Sequence, residues 1–385
     1  MDLSIPPELG QLKDLVRDFV TRELAPLEQS VDEADHIEPD TMRKLRRRAV
    51  EVGIYGYNLP AEIGGGGISI LGDVLISEEM GRTSVALAEA LGRLPMALSF
   101  CTPDQVEWLA RPVLRAEKVT ANALTEPDAG SDLGALRTKA VPDGDGWKIT
   151  GYKQFICGAE VADYIILLTV TDPSAPLRGR FTTFVVDRDA PGVQMITRFS
   201  KMGWRGLPMN AFALDDVRVG PERVLGRVGG GFETIMSSVN TMRLAIAARC
   251  VGSAALLLGL ARDYALKRST FGRPLADHQA IQFMLADMDV EVEAARMLVF
   301  AGAWRAEHAG KGDRELRIAA SRAKLYATEM AGRVADRTMR IFGASGYMAD
   351  LPVERMYRDL RGYRIGEGAS EMQRIQIARN LLASR

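Results

Sequence analysis

The apolar residues Leu12, Leu15, Val16, Phe19 and Val20 recur at steps of three and four, a spacing that predicts a helix from Glu8 to Leu24 with one buried stripe. Helices are also predicted over Thr41 to Val52, Leu71 to Arg82 and Asp104 to Leu114, separated by Gly- and Pro-rich breaks such as NLPAEIGGGG. A first helical region therefore closes near Val119. Between about Ala121 and Arg227 the period shortens. The runs WKIT, YIILLTV, FTTFVV and FALDDVRV, punctuated by DGDG, DPSAP and DAPG, predict a compact all-β region. After Gly229, Gly230 and Gly231 the helical period returns. Ile281, Leu285, Met288, Val292, Ala295 and Val299 line one face, as in a long helix of an antiparallel bundle. The order helix, β, helix, without alternating βαβ units, argues against a doubly wound nucleotide fold.

Length fits this division, because 385 residues exceed what one compact core usually holds and suggest about two or three domains. Apolar residues at 47% and charged residues at 26% exclude a disordered or collagenous chain. With 49 basic and 50 acidic residues the net charge is -1, so no global field favours nucleic acid or an anionic membrane. Any polyanionic ligand must be held locally. Cys101, Cys157 and Cys250 lie too far apart for a disulfide framework or a close-spaced metal site, which fits a reducing compartment. The opening MDLSIPPELG lacks a basic segment followed by an apolar one, and no uninterrupted apolar stretch reads as long enough to cross a bilayer. A cytoplasmic, bacterial protein is the expectation. His36, His278 and His308 share no short segment, so neither a His-built metal site nor a triad is expected. The basic cluster from Arg43 to Arg48 is spread around a helix and reads as a solvated face, and the GGGG run at Gly64 lacks GxGxxG spacing and reads as a turn.

Three segments carry candidate chemistry. TEPDAGSDLG, Thr125 to Gly134, offers amides and hydroxyls that could cradle a ring or phosphate, although the same residues make ordinary turns. KRSTFGRPLADHQAIQ, Lys267 to Gln282, holds Arg268, whose planar cation suits phosphate oxygens and equally suits solvent. In RDLRGYRIGEGASEMQRIQIARNLL, Arg358 to Leu382, Glu367 stands between Gly366 and Gly368, on backbone free to approach a ligand closely; an acidic residue between glycines is also commonly a solvated loop residue. Together these segments resemble the acyl-CoA dehydrogenase family. The resemblance runs through Thr125, Glu126, Pro127, Ala129, Gly130, Ser131 and Asp132, then Arg268, Thr270, Phe271, Gly272, His278, Gln279 and Ile281, then the C-terminal segment. With KMGWRG from Lys201 and the helix start GGGFETIM it covers nearly the whole chain.

The resemblance implies a mainly α fold with an inserted β domain: an N-terminal helical domain over residues 1–120, a central β barrel over 121–228 and a C-terminal four-helix bundle over 229–385. FAD is the implied cofactor, contacted by Leu124, Thr125, Ser131, Phe155, Ile156, Cys157, Arg268, Phe271, His278, Arg340, Gly343, Ala369 and Glu371. In similar proteins the segment around Arg268 meets the flavin of a neighbouring subunit, and a homotetramer built as a dimer of dimers is implied. The substrate is an acyl thioester on CoA or a carrier protein, with Ser131, Arg243, Gly366 and Gly368 at its site. Glu367 is the implied base for the α-proton, the β-hydride passes to flavin N5, and the product is a trans-2-enoyl thioester. Electrons then go to an electron-transferring flavoprotein. An acyl-CoA oxidase or a flavin monooxygenase using dioxygen is the alternative on this scaffold.

Several positions depart from the family pattern. Relatives that carry the base on another helix have Glu where this chain has Met242, and a thioether cannot accept a proton at working pH. Cys157 replaces a hydroxyl expected near N5 and reads either as a weak donor or as a small apolar residue. Arg340 replaces a glutamine on the adenine side. Gly366 replaces a bulky residue before the base, which predicts a wider pocket and a substrate branched, cyclic or bulky near its reacting carbons.

Overall fold

In the computed structural model of the chain, residues 5–308 and 314–383 are described, so the outer limits of the first and last expected regions lie outside them. The longer helices, in chain order, are α1 (Pro7–Phe19), α2 (Pro39–Glu51), α3 (Ile70–Met80), α4 (Val239–Lys267), α5 (Gln279–His308), α6 (Arg314–Phe342), α7 (Pro352–Tyr363) and α8 (Ser370–Leu382). The sheet strands are β1 (Thr120–Ala123), β2 (Lys139–Asp143), β3 (Gly146–Cys157), β4 (Tyr164–Val170), β5 (Phe181–Asp187), β6 (Val193–Arg198), β7 (Met209–Val219) and β8 (Val224–Leu225). The three-block order read from the hydrophobic pattern is the order observed. The helix expected through Leu24 turns into a π turn at Val20–Leu24, and that expected over Asp104 to Leu114 contains another at Val106–Ala110. A π turn inserts a residue without ending the helix, so the apolar period hides it.

The strands follow one hydrogen-bonded path, β6-β7-β3-β2-β4-β5-β8, with β1 added in parallel to β4. Its two antiparallel halves join through a single parallel pair, Lys139 with Val170. Inward residues of both halves, including Ile149, Ile165, Phe184 and Phe212, enter one core, so the sheet curls around its own interior as a barrel left open between β6 and β8. The other face of the curled sheet packs on the N-terminal helices, where Ile166 and Val185 meet Leu59, Leu98 and Leu109. With both faces covered, β4 needs apolar side chains at nearly every position, which is why YIILLTV does not alternate.

The three long helices α4, α5 and α6 form the bundle core. Helix α4 packs against α3, α5 and α6 and is predominantly apolar, without one distinct polar face. By length and composition alone the stretch Gly231–Lys267 is long and apolar enough to cross a membrane. Most of that apolar window is buried inside the protein, where a helix hydrophobic all round is the natural centre of a bundle. Two glycines set the fit of the N-terminal helices against it. A Cβ at Gly81 would overlap the carbonyl of Arg249, and one at Gly252 the carbonyl of Glu78, so the two backbones touch. Ser253 Oγ donates to Gly81 O at 2.5 Å across the same contact.

Candidate active site

Glu367 lies on the short connection between α7 and α8, in left-handed backbone with φ 54°. Seven non-glycine residues among those described have positive φ, and four of them, Phe155, Trp204, Phe271 and Glu367, stand on the segments singled out in the sequence. For such residues this conformation costs about 1–2 kcal/mol, so the surroundings must impose it. Around Glu367 they do. Lys324 Nζ donates to Gly366 O at 2.7 Å and to Gly368 O, Gln373 Nε2 donates to Gly368 O at 2.8 Å, and Ser370 Oγ donates to Glu329 Oε1 at 2.7 Å. Arg364 closes the other end of the connection on Thr328 O and Glu329 O, at 3.3 and 3.0 Å.

The Glu367 carboxylate faces two cations and one thiol. It favours the charged forms of Arg243 and Lys324 and opposes ionisation of Cys157, so α4, α6 and the end of β3 all come within its electrostatic reach. Burial pushes the Cys157 thiol up to about 12, helped by Glu89 and Glu367. It is therefore a neutral S–H at working pH and not a thiolate. Burial also lowers Arg243, whose Nη1 approaches Ser321 Oγ and Asn240 Oδ1 at 3.5 Å while its Nε stays buried without a partner. Gln373 Oε1 is likewise buried and unpartnered. Such orphaned groups beside a glycine-flanked carboxylate suit a site that binds a polar ligand.

Strand β3 delivers the opposite wall. Its register with β7 slips between Lys153 and Ile156, which takes Phe155 out of the ladder with φ 57° and leaves it 50% exposed against Phe199. Ile156 points into the barrel core, so only its main chain can meet a cofactor. Below it Lys153 is fully buried and donates to Leu124 O, Leu168 O and Glu126 Oε1 at 2.8–2.9 Å. Burial depresses the Lys153 ammonium to about 8 against the pull of Glu126. Glu126, despite its own burial, is held below the usual carboxylate range by Lys153 and by the N–H groups of Arg137 and Thr138. Thr125 O accepts from Gln154 N at 3.0 Å, so the motif loop and the end of β3 form one unit. The main-chain groups freed at the bulge, the neutral Cys157 thiol and the Thr125 hydroxyl fit a flat hydrogen-bonding ring such as that of FAD.

Leu124, Thr125, Phe155, Ile156 and Cys157 thus belong to the β wall, and Arg243, Gly366, Gly368 and Ala369 to the Glu367 side. Ser131 lies exposed on the motif loop, and Glu371 is exposed on α8 beside Arg374 at 3.5 Å. Arg268, Phe271, His278, Arg340 and Gly343 are not in this group. Arg268 follows Arg243 by 25 residues along α4, about 37 Å at 1.5 Å per residue, and α6 carries Arg340 to the same far end, where Tyr264 stacks on Phe342 at 4.2 Å. Phe271 projects there with 96% of its surface exposed, beside His278.

The pocket expected at Gly366 has a wall. A Cβ there would lie 3.4 Å from Trp204 Cη2, and the indole Nε1 is anchored on Asp359 O at 2.9 Å. At the position of the alternative base, Met242 Sδ accepts from Arg93 Nη1 at 3.5 Å, and Arg93 is itself clamped by Asp73. The sequence reading missed Lys153, Lys324, Gln373 and Trp204 as site residues. The two lysines carried a signal: each sits on the inward phase of its element, Lys153 with Ile149 on β3 and Lys324 among Ala320, Ala323 and Ala327 on α6. A lysine in such a position must find partners inside.

Comparison with known proteins gives this arrangement its place. Residues 6–117, 121–217 and 229–382 match the N-terminal, middle and C-terminal domains of acyl-CoA dehydrogenase. The chain is 37% identical over 377 residues to a 3-(aryl)acrylate reductase of Clostridium sporogenes, covering 96% of this chain and 97% of the relative. It is 35% identical over 378 residues to the caffeyl-CoA reductase-Etf complex subunit CarC of Acetobacterium woodii, with the same coverage of 96% and 97%. Butyryl-CoA dehydrogenase from Megasphaera elsdenii superposes with a TM-score of 0.90 at 30% identity, covering 99% of this chain and 100% of that one. The chain belongs to the acyl-CoA dehydrogenase family and is an FAD-dependent oxidoreductase that dehydrogenates an acyl-CoA.

Proposed function

We propose that Glu367 is the base that removes the α-proton of the acyl-CoA substrate, giving the trans-2-enoyl thioester. The observation that carries this reading is that its carboxylate lies within electrostatic reach of the Cys157 thiol at the end of β3 and of the cations Arg243 and Lys324, on backbone flanked by two glycines. Bound FAD supplies the two-electron acceptor for the β-hydride. The β wall, through Leu124, Thr125, Ser131 and residues 155–157, would hold the flavin ring, together with Ala369 and Glu371 from the α8 side. Enolate charge develops on the thioester oxygen, and we assign the main-chain N–H of Glu367 to it as a preorganised donor. Arg243 lies near the CoA portion. Substrate entry expels water from around Glu367, which leaves the carboxylate facing the α-proton in a drier site. Met242 leaves it without a rival acid-base group on α4.

We further propose a substrate with bulk near the reacting carbons. Gly366 puts no side chain beside the base, with Trp204 as the wall 3.4 Å from where a Cβ would stand, and two relatives are named for aryl acrylate or caffeyl-CoA reduction. The acceptor is taken to be an electron-transferring flavoprotein in preference to dioxygen. The second of those relatives is named as a subunit of a complex with Etf, and a similar solved structure concerns the electron transferring flavoprotein of Acidaminococcus fermentans. The far end of the bundle, with Arg268, Phe271, His278, Arg340 and Gly343, is assigned to the flavin of a second copy within a tetramer. The domain limits stay at residues 120 and 228, and the bacterial relatives favour a bacterial cytoplasm.

Anaerobic mixing with straight-chain, branched and aryl acyl-CoAs while following loss of flavin absorbance tests these points together. Glu367→Gln is expected to slow bleaching by about 10²–10⁴-fold. Bleaching at the wild-type rate would remove Glu367 as the base, and faster bleaching by straight chains than by bulky ones would remove the proposed substrate class.

A further inference from the structure

Lys324 takes no part in the chemistry just described, yet it is the charged group most tightly built into the site. It is 1% exposed on the alanine-rich stripe of α6. Its Nζ bonds Gly366 O at 2.7 Å and Gly368 O at 2.5 Å, the carbonyls on either side of Glu367. One ammonium therefore ties the peptide unit that enters Glu367 to the one that leaves Gly368, closing the turn from which the carboxylate projects with φ 54°. The titratable and charged groups facing Lys324 are Glu367, Cys250 and Arg243. Burial lowers it to about 8, while Glu367 and then Cys250 favour its charge and Arg243 opposes it.

We infer that Lys324 is a positioning residue for the dehydrogenation: it fixes the aim of Glu367 through the carbonyls of Gly366 and Gly368 and sets the potential at its carboxylate. The inference rests on Glu367 being the base. Two effects follow, and they are separable. The hydrogen bonds hold the carboxylate over the carbon it must deprotonate, and a small misplacement of a catalytic group is costly in rate. The ammonium and the Glu367 carboxylate attract one another, so removing the charge changes the field at the base. Ser321, three residues earlier on α6, meets Arg243, so the same helix face orients both cations.

The test uses the full-length flavoprotein with Lys324→Met, Lys324→Gln and Lys324→Arg. It measures flavin content, melting, kcat, KM and the pH profile of kcat/KM with one acyl-CoA. Lys324→Met is expected to lower kcat by about 10–100-fold with KM within about threefold. Its acid limb should differ from that of wild type, because the base loses a neighbouring cation. Lys324→Gln, which keeps donors without charge, should recover part of kcat but keep the shifted limb; Lys324→Arg should return the limb towards wild type. A flavin-loaded Lys324→Met enzyme with wild-type kcat and acid limb overturns the inference. Where that variant fails to hold flavin, identical acid limbs in the Gln and Arg variants overturn it. Glu367→Gln measured in parallel separates the two claims: an inactive Glu367→Gln beside indifferent Lys324 variants sinks only the role of Lys324, whereas an active Glu367→Gln sinks the base itself.

Discussion

Trp204 shows how one side chain borrows its position from another. It has φ 56°, its main-chain N–H donates to Asp359 Oδ1 at 2.5 Å, and its ring bounds the space beside Gly366. Burial pushes the Asp359 carboxyl up to about 6 from 3.8, against the pull of the Trp204 N–H, Arg355 and Arg358. Between those two values the folded protein keeps a proton that the unfolded chain has released, so this group's contribution to stability is present below pH 3.8 and lost as pH rises through about 6. Asp359→Asn keeps an oxygen for Trp204 and removes the titration. Melting of both proteins across that window should show the variant gaining on wild type as pH rises; parallel curves would mean that Asp359 titrates normally. Such couplings are only partly legible in the sequence. Glu367 is readable from its motif and its glycines, but that Lys324 holds its neighbours depends on two segments 42 residues apart meeting in space.

Strand β3 carries the same lesson further along the chain. Its runs of apolar residues announce a strand, and turn formers announce its end, but the slip after Lys153 that turns Phe155 outward has no counterpart in a two-residue period. The buried pair of Lys153 and Glu126 is what joins this bulge to the motif loop, since the same ammonium also bonds Leu124 O. Lys153→Met leaves Glu126 buried without its cation and two carbonyls without a donor. A loss of about 3–5 kcal/mol is expected, read by denaturant unfolding together with weaker flavin retention. Unchanged stability would show that the pair is replaceable by packing. Helix α4 misleads in the opposite sense: its sequence is apolar enough to suit a membrane, and only its neighbours α3, α5 and α6 reveal it as the centre of a bundle.

The two ends of the bundle are about 37 Å apart along α4, and the flavin-side residues implied by the family motifs are divided between them. A second copy resolves this division if its far end covers the first copy's cofactor, and Phe271 is the exposed anchor for such a contact. Phe271→Asp should then reduce the assembly measured by sedimentation and lower the flavin bound per chain. A variant of unchanged size and full flavin content would free Phe271 from that role. The order of blocks and most helices are legible because periodicity reports local burial, whereas the gathering of β3, α4, α6 and the α7–α8 connection at one carboxylate is a property of the folded chain. Gly81 and Gly252 bring the N-terminal helices into main-chain contact with α4. A methyl group added at either glycine would have to wedge the two helices apart, so the seam between the N-terminal block and the bundle is set by two missing side chains.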